Sequence, residues 1–170
     1  MPVLNVALVG SEDLARKLGK KGDTRDIESY VHKESRGGVA RVLSLLRPLK
    51  HPDSIRPLLS VLDVAKAGLL EVRELSASVG EAMVALGCAG ISRGKAIISP
   101  SEGVWIDSDQ VRVMLDQAGL GDWEVVEGEV DEHEIRNDLF EIQDEMSPSM
   151  ERSNSSPLIL PVDQHFNVKG

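Results

Sequence analysis

The residues best placed for phosphate chemistry follow the first apolar run, residues 3–10, which ends in Gly10. A phosphate-binding loop needs roughly G-x-x-x-x-G-K-[ST], because its backbone N–H groups cradle phosphates, its Lys meets their charge and its hydroxyl binds magnesium. Here Gly10 is followed at once by Ser11, Glu12 and Asp13. Two acids stand where an anion would bind, so the sequence predicts that a working phosphate loop is missing.

A second cluster with ligand chemistry is Asp-Glu-His-Glu at residues 131–134. Consecutive residues on a helix point in different directions, and a helix N-terminus favours acids, so we expect a solvated helix start and predict no metal site. The single Cys88 excludes an internal disulfide and a multi-Cys zinc site. It lies in an apolar stretch and is expected to be buried, and Trp105 and Trp123 are expected to be packing residues.

The formal net charge of -9 is concentrated in one segment. Residues 127–152 hold 10 acids and 2 bases, whereas residues 1–56 hold 7 acids and 11 bases. The overall acidity argues against binding of nucleic acid over the whole surface, but the basic N-terminal third leaves an RNA-facing role open. No stretch reaches the roughly 18 apolar residues of a membrane helix, so we expect no membrane partner and a cytoplasmic protein.

The elements that must position these residues alternate between strand-like and helix-like apolar periods. This alternation predicts an α/β fold with three αβα layers and a mostly parallel sheet, to which a hairpin adds one antiparallel edge strand. Residues 20–26 are predicted to be a charged loop. The predicted strands are 3–10, 26–33, 39–46, 67–72, 95–99 and 123–126, and the predicted helices are 12–18, 54–64, 78–87, 108–118 and 131–146.

Within this order, residues 20–27 (KKGDTRDI) resemble the effector motif of translational GTPases, basic-G-x-T-x-D-I. The matching residues are Lys21, Gly22, Thr24, Asp26 and Ile27. The family includes elongation factor Tu, elongation factor 1-alpha and the selenocysteine-specific elongation factor. The resemblance implies a P-loop-NTPase-like, GTPase-derived domain.

The family's other motifs are degenerate in this chain. Residues 47–55 (RPLKHPDSI) lie where the family has D-x-P-G-H-x-D, and His51 and Asp53 match, but Arg47 replaces the leading Asp and Lys50 the Gly. The guanine-reading N-K-x-D should follow strand 95–99, where the chain reads PSEG. The likeness is therefore to archaeal-type members with decayed GTPase motifs.

The C-terminal segment extends the resemblance. Residues 158–170 (LILPVDQHFNVKG) are similar to the opening strand of the family's β-barrel second domain. We therefore expect a G-like domain at 1–146, a polar linker at 147–157 and a truncated, incomplete barrel start at 158–170.

The resemblance carries over only vestigial site candidates. His51 is the catalytic candidate, because the family positions its attacking water there, and a local hydrogen bond or a surface position is the alternative. Gly10, Gly22 and Thr24 are the nucleotide-binding candidates. No cofactor and no metal ligands are predicted, and GTP and Mg²⁺ enter by family resemblance alone.

The basic residues that could meet RNA phosphates are Lys17, Lys20, Lys21 and Arg25, although a merely solvated loop explains them equally well. The first functional hypothesis is a translation elongation factor-like protein related to the selenocysteine-specific factor. Its GTP binding would be lost or weakened, its partner would be aminoacyl-tRNA or the ribosome, and it would not be an enzyme. The alternatives are a non-catalytic scaffold that docks a basic protein on residues 127–152, and a GTP-binding factor with residual activity.

Overall fold

The computed structural model describes residues 2–151, and their side chains up to residue 146. The chain begins with a strand–helix pair, continues with three consecutive strands, and then alternates between helices and strands. The strands are β1 (Val3–Val9), β2 (Lys20–Thr24), β3 (Ile27–Arg36), β4 (Val39–Pro48), β5 (Ala67–Val72), β6 (Gly94–Ile98) and β7 (Glu124–Glu127). The helices are α1 (Glu12–Leu18), α2 (Arg56–Leu62), α3 (Ala77–Cys88), α4 (Ser108–Gln117) and α5 (Glu132–Glu151).

The seven strands form one open sheet in the order β2-β3-β4-β1-β5-β6-β7. Strand β1 pairs in parallel with β4 and β5, and β6 pairs in parallel with β5 and β7. Only β3 pairs antiparallel, with β2 on one side and β4 on the other. The predicted fold class, an α/β protein with a mostly parallel P-loop-like sheet, is confirmed.

Two hydrophobic cores lie on opposite faces of the sheet. One is built with α2, α3 and α4, and the other with α1 and α5. The first core depends on two glycines in the neighbouring strands β5 and β6. A Cβ on Gly68 or Gly94 would lie 2.5 or 2.6 Å from the Trp123 ring, so only glycine lets this indole lie flat against the strands. The indole N–H donates to the carbonyl of Ile91 at 2.9 Å.

Several local predictions are wrong. Residues 20–24 are not a loop but the edge strand β2, so β3 is second from the edge. Trp105 is 83% exposed rather than packed, and Cys88 is exposed rather than buried. Trp105 lies in the connection between β6 and α4, and Cys88 is the last residue of α3, so neither residue belongs to a hydrophobic core.

The C-terminal predictions fall mostly outside the described residues. Helix α5 continues to Glu151, so the first five residues of the predicted linker are helical. The predicted barrel start, residues 158–170, lies outside the described part, and the domain boundaries stay a prediction. Within residues 2–151, no helix combines the length and apolar character needed to cross a membrane.

Candidate functional site

The carboxyl edge of the sheet next to β1 is where this class of fold binds ligands. Helix α1 packs on one face, whereas α2 and α3 pack on the other, so a crevice forms between β1 and β5. Gly10 follows β1, and Glu71 lies near the end of β5. Arg47 lies near the end of β4. These three residues meet at this edge.

The first backbone N–H after Gly10 is already occupied by the chain itself. Ser11 N–H donates to the Glu71 carboxylate at 2.6 Å, and the Ser11 hydroxyl caps α1 by accepting from the N–H of Leu14 at 3.2 Å. A Cβ on Gly10 would lie 2.9 Å from Cβ of Glu71, so the glycine is needed for this close approach. An internal carboxylate therefore stands where a bound anion would accept a hydrogen bond.

The same edge holds a chain of ion pairs, which we call the Glu28 network: Glu12, Arg16, Lys21, Glu28 and Arg47. Glu28 is only 4% exposed, and its carboxylate pairs with Lys21 Nζ at 2.6 Å and an Arg47 terminal nitrogen at 2.7 Å. Arg47 Nε also donates to the carbonyl of Gly10 at 2.8 Å. The network thus ties β3 and β4 to Gly10, the residue that follows β1.

Hydrogen bonds keep the buried Glu28 carboxyl ionised. Burial alone would raise its pKa, but the hydrogen bonds from Lys21, Arg47 and Tyr30 outweigh burial and hold the pKa below its usual range. The Tyr30 hydroxyl donates to Glu28 at 3.0 Å. Burial, followed by this hydrogen bond, raises the pKa of the Tyr30 phenol. The pKa of Lys21 is raised by its bonds to Glu28 and Glu12.

The residues at this edge do not fit GTP or Mg²⁺. A phosphate needs free N–H donors and a cation, but Ser11 N–H is bonded to Glu71 and Lys21 is bonded to two carboxylates. A magnesium ion needs oxygen ligands, but Arg47 places a guanidinium beside Gly10. The described residues also contain no group of three or more His, Cys, Asp or Glu able to hold a metal.

His51 lies beside Gly10 in a cavity of about 280 Å³. Its Nε2 atom is buried and has no hydrogen-bond partner among the described residues. The structure therefore brings together two of the predicted vestigial residues, Gly10 and His51. The cavity is lined by Val9, Gly10, His51, Pro52, Leu70, Glu71, Arg73, Glu74, Ser76, Ser78, Val79 and Ala82.

A larger groove of about 750 Å³ opens at the other end of α1, beside the edge strand β2. We call it the basic groove, because six of its ten lining residues are Lys or Arg and none is Asp or Glu. It brings Lys17, Lys20, Lys21 and Gly22 together. Its lining residues are Arg16, Lys17, Gly19, Lys20, Lys21, Gly22, Val31, His32, Lys33 and Arg136.

The cations of the basic groove differ in how they are paired. Arg16 and Lys21 are held by Glu12, and Lys21 also by Glu28. Among residues 2–146, the ammonium groups of Lys17, Lys20 and Lys33 form no ion pair, and all three side chains are exposed. Charge that is free to meet a partner therefore resides on these three lysines.

The remaining predicted residues lie apart from the groove. Thr24 is exposed at the end of β2, where it pairs with Glu28 across an irregularity in the ladder. Arg25 lines a different cavity together with Asp23 and Asp26. Thr24 thus lines neither the basic groove nor the cavity at Gly10, and Arg25 lines a different cavity from the three lysines.

Helix α5 closes the basic groove with Arg136, which donates to the carbonyl of Lys17 at 3.0 Å. His32 also lines this groove, and its ring centroid is 6.1 Å from that of Phe140. Burial first, and then the charge of Arg136, lower the pKa of His32. The imidazole is therefore neutral near pH 7 and adds no charge to the groove.

On its other side, α5 contributes to an acidic groove of about 340 Å³. The buried ammonium of Lys95 pairs there with Asp138 at 2.6 Å and with Glu124. Burial lowers the pKa of Lys95, but these carboxylates more than compensate and raise it. The acidic groove is lined by Arg93, Gly94, Lys95, Asp122, Glu124, Glu134, Asp138, Glu141, Ile142 and Glu145.

Sequence reasoning did not single out Glu71, Glu28, Lys33 or Arg136. Glu71 contacts Ser11 across 60 residues of chain, and Arg136 contacts Lys17 across 119, so no local pattern reveals either contact. Lys33 could have been identified from the sequence, because it belongs to a predicted strand that directly follows the basic segment 20–26.

The sequence resembles that of one curated protein over nearly its whole length. No family model matches the chain. An uncharacterized protein of Methanocaldococcus jannaschii is 28% identical over 171 residues, which cover 99% of this chain and 50% of the relative. The chain therefore spans about half the length of this curated relative.

The crystal structure of translation elongation factor SelB from Methanococcus maripaludis, in complex with the GTP analogue GppNHp, superposes with a TM-score of 0.54. The superposition covers 96% of this chain and 37% of the SelB chain at 17% sequence identity. At this identity the likeness shows only that the chain shares the fold of the matched part of that structure.

Proposed function

We propose that this chain is the G-like module of a translation elongation factor-like protein, related to the selenocysteine-specific factor, that works without GTP. Its context is aminoacyl-tRNA or the ribosome, in the cytoplasm, and the module itself is not an enzyme. The fold likeness to SelB and the order of the degenerate motifs support the translation context.

One observation carries the loss of GTP binding: the carboxyl edge next to β1 is closed by the chain's own charges. The Glu71 carboxylate accepts a hydrogen bond from the N–H of Ser11. Arg47 donates to the carbonyl of Gly10 and to the carboxylate of Glu28. A nucleotide would have to displace these contacts and face Glu12 and Asp13 in the first turn of α1. The position that phosphates use in related folds is therefore unfavourable to an anion.

The size of the expected loss follows from the missing contacts. Each charge-assisted hydrogen bond to a phosphate contributes about 1.5–3 kcal/mol. Without three of them, a site that would bind at about 1 μM weakens by at least about 4 kcal/mol, to a dissociation constant of about 1 mM or more. In this proposal the Glu28 network, and not a bound nucleotide, holds β3 and β4 against β1.

Isothermal titration calorimetry with GTP and GDP in the presence of Mg²⁺ tests this proposal. We expect no saturable binding below about 1 mM nucleotide. SelB from Methanococcus maripaludis, which was crystallised with GppNHp, is the positive control. Sub-micromolar affinity would contradict the proposal and favour the GTP-binding factor with residual activity.

The acidic groove favours a second candidate function, an interaction scaffold that keeps only the GTPase fold. Six of its ten lining residues are acids, and they belong largely to the segment that carries the net charge. A basic protein is its natural partner. Binding of a Lys-rich peptide that is abolished by Glu141→Gln with Glu134→Gln, and no binding of tRNA at low salt, would favour this scaffold over the translation role.

A further inference from the structure

The basic groove is an unusual surface for a chain with a net charge of -9. It collects six cationic side chains and no acid, and it is formed by four elements, α1, β2, β3 and α5. Three of its cations, Lys17, Lys20 and Lys33, have no ion pair within the described residues. Like charges held close together repel one another, so packing gives no reason for this arrangement.

The fold holds these lysines on rigid elements. Lys17 lies in the last turn of α1, which ends at Gly19, and Arg136 of α5 donates to its carbonyl. Lys20 begins β2 and pairs with Val31, two residues before Lys33 on β3. All three lysines therefore line one groove from regular secondary structure rather than from a loop.

Among the groups that stack on exposed bases, the groove holds only the half-buried imidazole of His32 and two arginines, Arg16 and Arg136, which are bonded to Glu12 and to the Lys17 carbonyl. Proteins that bind single-stranded nucleic acid use a charged groove together with aromatic side chains on which the bases stack. No Phe, Tyr or Trp lines the basic groove. Tyr30 is fully buried, and the exposed Trp105 follows β6, three strands beyond β4 in the sheet order.

We propose that the basic groove binds the phosphate backbone of a base-paired RNA stem, through Lys17, Lys20 and Lys33, with Arg136 as the residue that positions Lys17. The choice of RNA rests on the proposed translation role. Recognition through phosphates alone suits an A-form duplex, whose narrow major groove hides the base edges from side chains. Four acids of the segment 127–152, Glu134, Asp138, Glu141 and Glu145, line a different groove, and no acid is among the residues that line this one.

The test measures fluorescence anisotropy with a labelled RNA duplex of about 16 base pairs, and with one of its strands alone, at several salt concentrations. The test variant is Lys17→Ala, Lys20→Ala and Lys33→Ala combined. The matched control is Arg56→Ala, Lys66→Ala and Arg112→Ala combined, which removes three exposed cations that lie outside the groove and form no ion pair in residues 2–146.

We expect the unmodified chain and the control to bind the duplex more tightly than the single strand. We expect the groove variant to bind at least about 10-fold more weakly at low salt, and its salt dependence to be shallower by about 2 to 3 in log–log slope. Circular dichroism should show that all three proteins are folded, because the replaced side chains are exposed.

Three outcomes would overturn the proposal: equal duplex binding by the groove variant and the control, preference for the single strand, or no RNA binding at about 50 mM salt. The test is separable from the proposed loss of GTP binding. Tight GTP binding would contradict that loss without touching the groove, and an unaffected groove variant would overturn the groove proposal while leaving the nucleotide result unchanged.

Discussion

The Glu28 network and the basic groove share Arg16 and Lys21, but their other charged residues differ in how they are paired. In the network, the cations Arg16, Lys21 and Arg47 all pair with a carboxylate, and Glu28 is buried. In the groove, three lysines remain exposed and without an ion pair among the described residues. The first arrangement stabilises the fold, whereas the second leaves charge available to a partner.

We relate the difference between these two regions to the proposed loss of nucleotide binding. The edge that would meet phosphates holds an internal carboxylate and an internal guanidinium instead. A charge that is satisfied within the fold contributes little to ligand binding, because a ligand must first break the existing contact. We therefore expect substitutions in the network to change stability, and substitutions in the groove to change binding.

The largest effect should come from Glu28→Gln. The amide keeps the shape but leaves Lys21 and Arg47 without their buried carboxylate, which should cost about 3 kcal/mol of unfolding free energy. Urea denaturation measures this cost. The control is Glu102→Gln, an exposed glutamate without an ion pair in residues 2–146, which should change stability by less than about 0.5 kcal/mol. A loss below about 1 kcal/mol for Glu28→Gln would show that the network is not structural.

Gly10→Ala should have the next largest effect. The new Cβ would lie 2.9 Å from Cβ of Glu71, so the contact between Ser11 and Glu71 must shift, at a cost of about 1–3 kcal/mol. The same denaturation experiment includes Gly80→Ala as a control. Gly80 lies inside α3, and a Cβ added there would have no neighbouring atom closer than 3.9 Å. The control should be more stable by about 0.5–1 kcal/mol. Equal effects of the two changes would argue against a tight edge at Gly10.

The pH dependence of stability tests the ionisation of Glu28. Its pKa is below the usual range in the folded chain, so the unfolded chain takes up the proton first as the pH falls. The stabilisation is complete at neutral pH and is lost as the pH falls below about 4, through the folded pKa. The difference in urea midpoint between the unmodified chain and Glu28→Gln should therefore shrink from pH 7 to pH 3. A constant difference would mean that Glu28 is not ionised when folded.

Much of the fold was predictable because its strands and helices carry apolar periodicity. The buried strand β1 and the helix α4, with Val111 and Leu115 buried, are typical cases. Strand β2 was missed because none of its side chains is buried and its backbone pairing with β3 leaves no apolar pattern. Trp105 shows the opposite failure, since a large apolar side chain was expected to pack and is exposed.

The candidate site was less predictable, because its contacts join distant parts of the chain. The acids after Gly10 could be recognised from the sequence as groups that repel a phosphate. Two of the site's contacts could not be recognised: the hydrogen bond from Ser11 N–H to Glu71, and the one from Arg136 to the Lys17 carbonyl. The first depends on the order of the strands and the second on the packing of α5. Pairing across such distances follows from topology, which local patterns do not specify.

The smallest effect on stability should come from the groove. Replacing Lys17, Lys20 and Lys33 together removes mutual repulsion and no ion pair within residues 2–146, so the unfolding free energy should change by less than about 0.5 kcal/mol. The denaturation curve of the triple variant measures this change against the unmodified chain. A loss of more than about 1 kcal/mol would mean that the lysines stabilise the fold and would blur the distinction between the two regions.

The most direct test of the account follows the anisotropy of the RNA duplex bound to the unmodified chain while GTP with Mg²⁺ is added to about 1 mM. Linkage requires that a nucleotide which assembles the binding surface changes RNA affinity, and a nucleotide that does not bind changes nothing. The account predicts a duplex dissociation constant that stays within about twofold throughout. A change of about 10-fold or more, saturating at micromolar GTP, would contradict it.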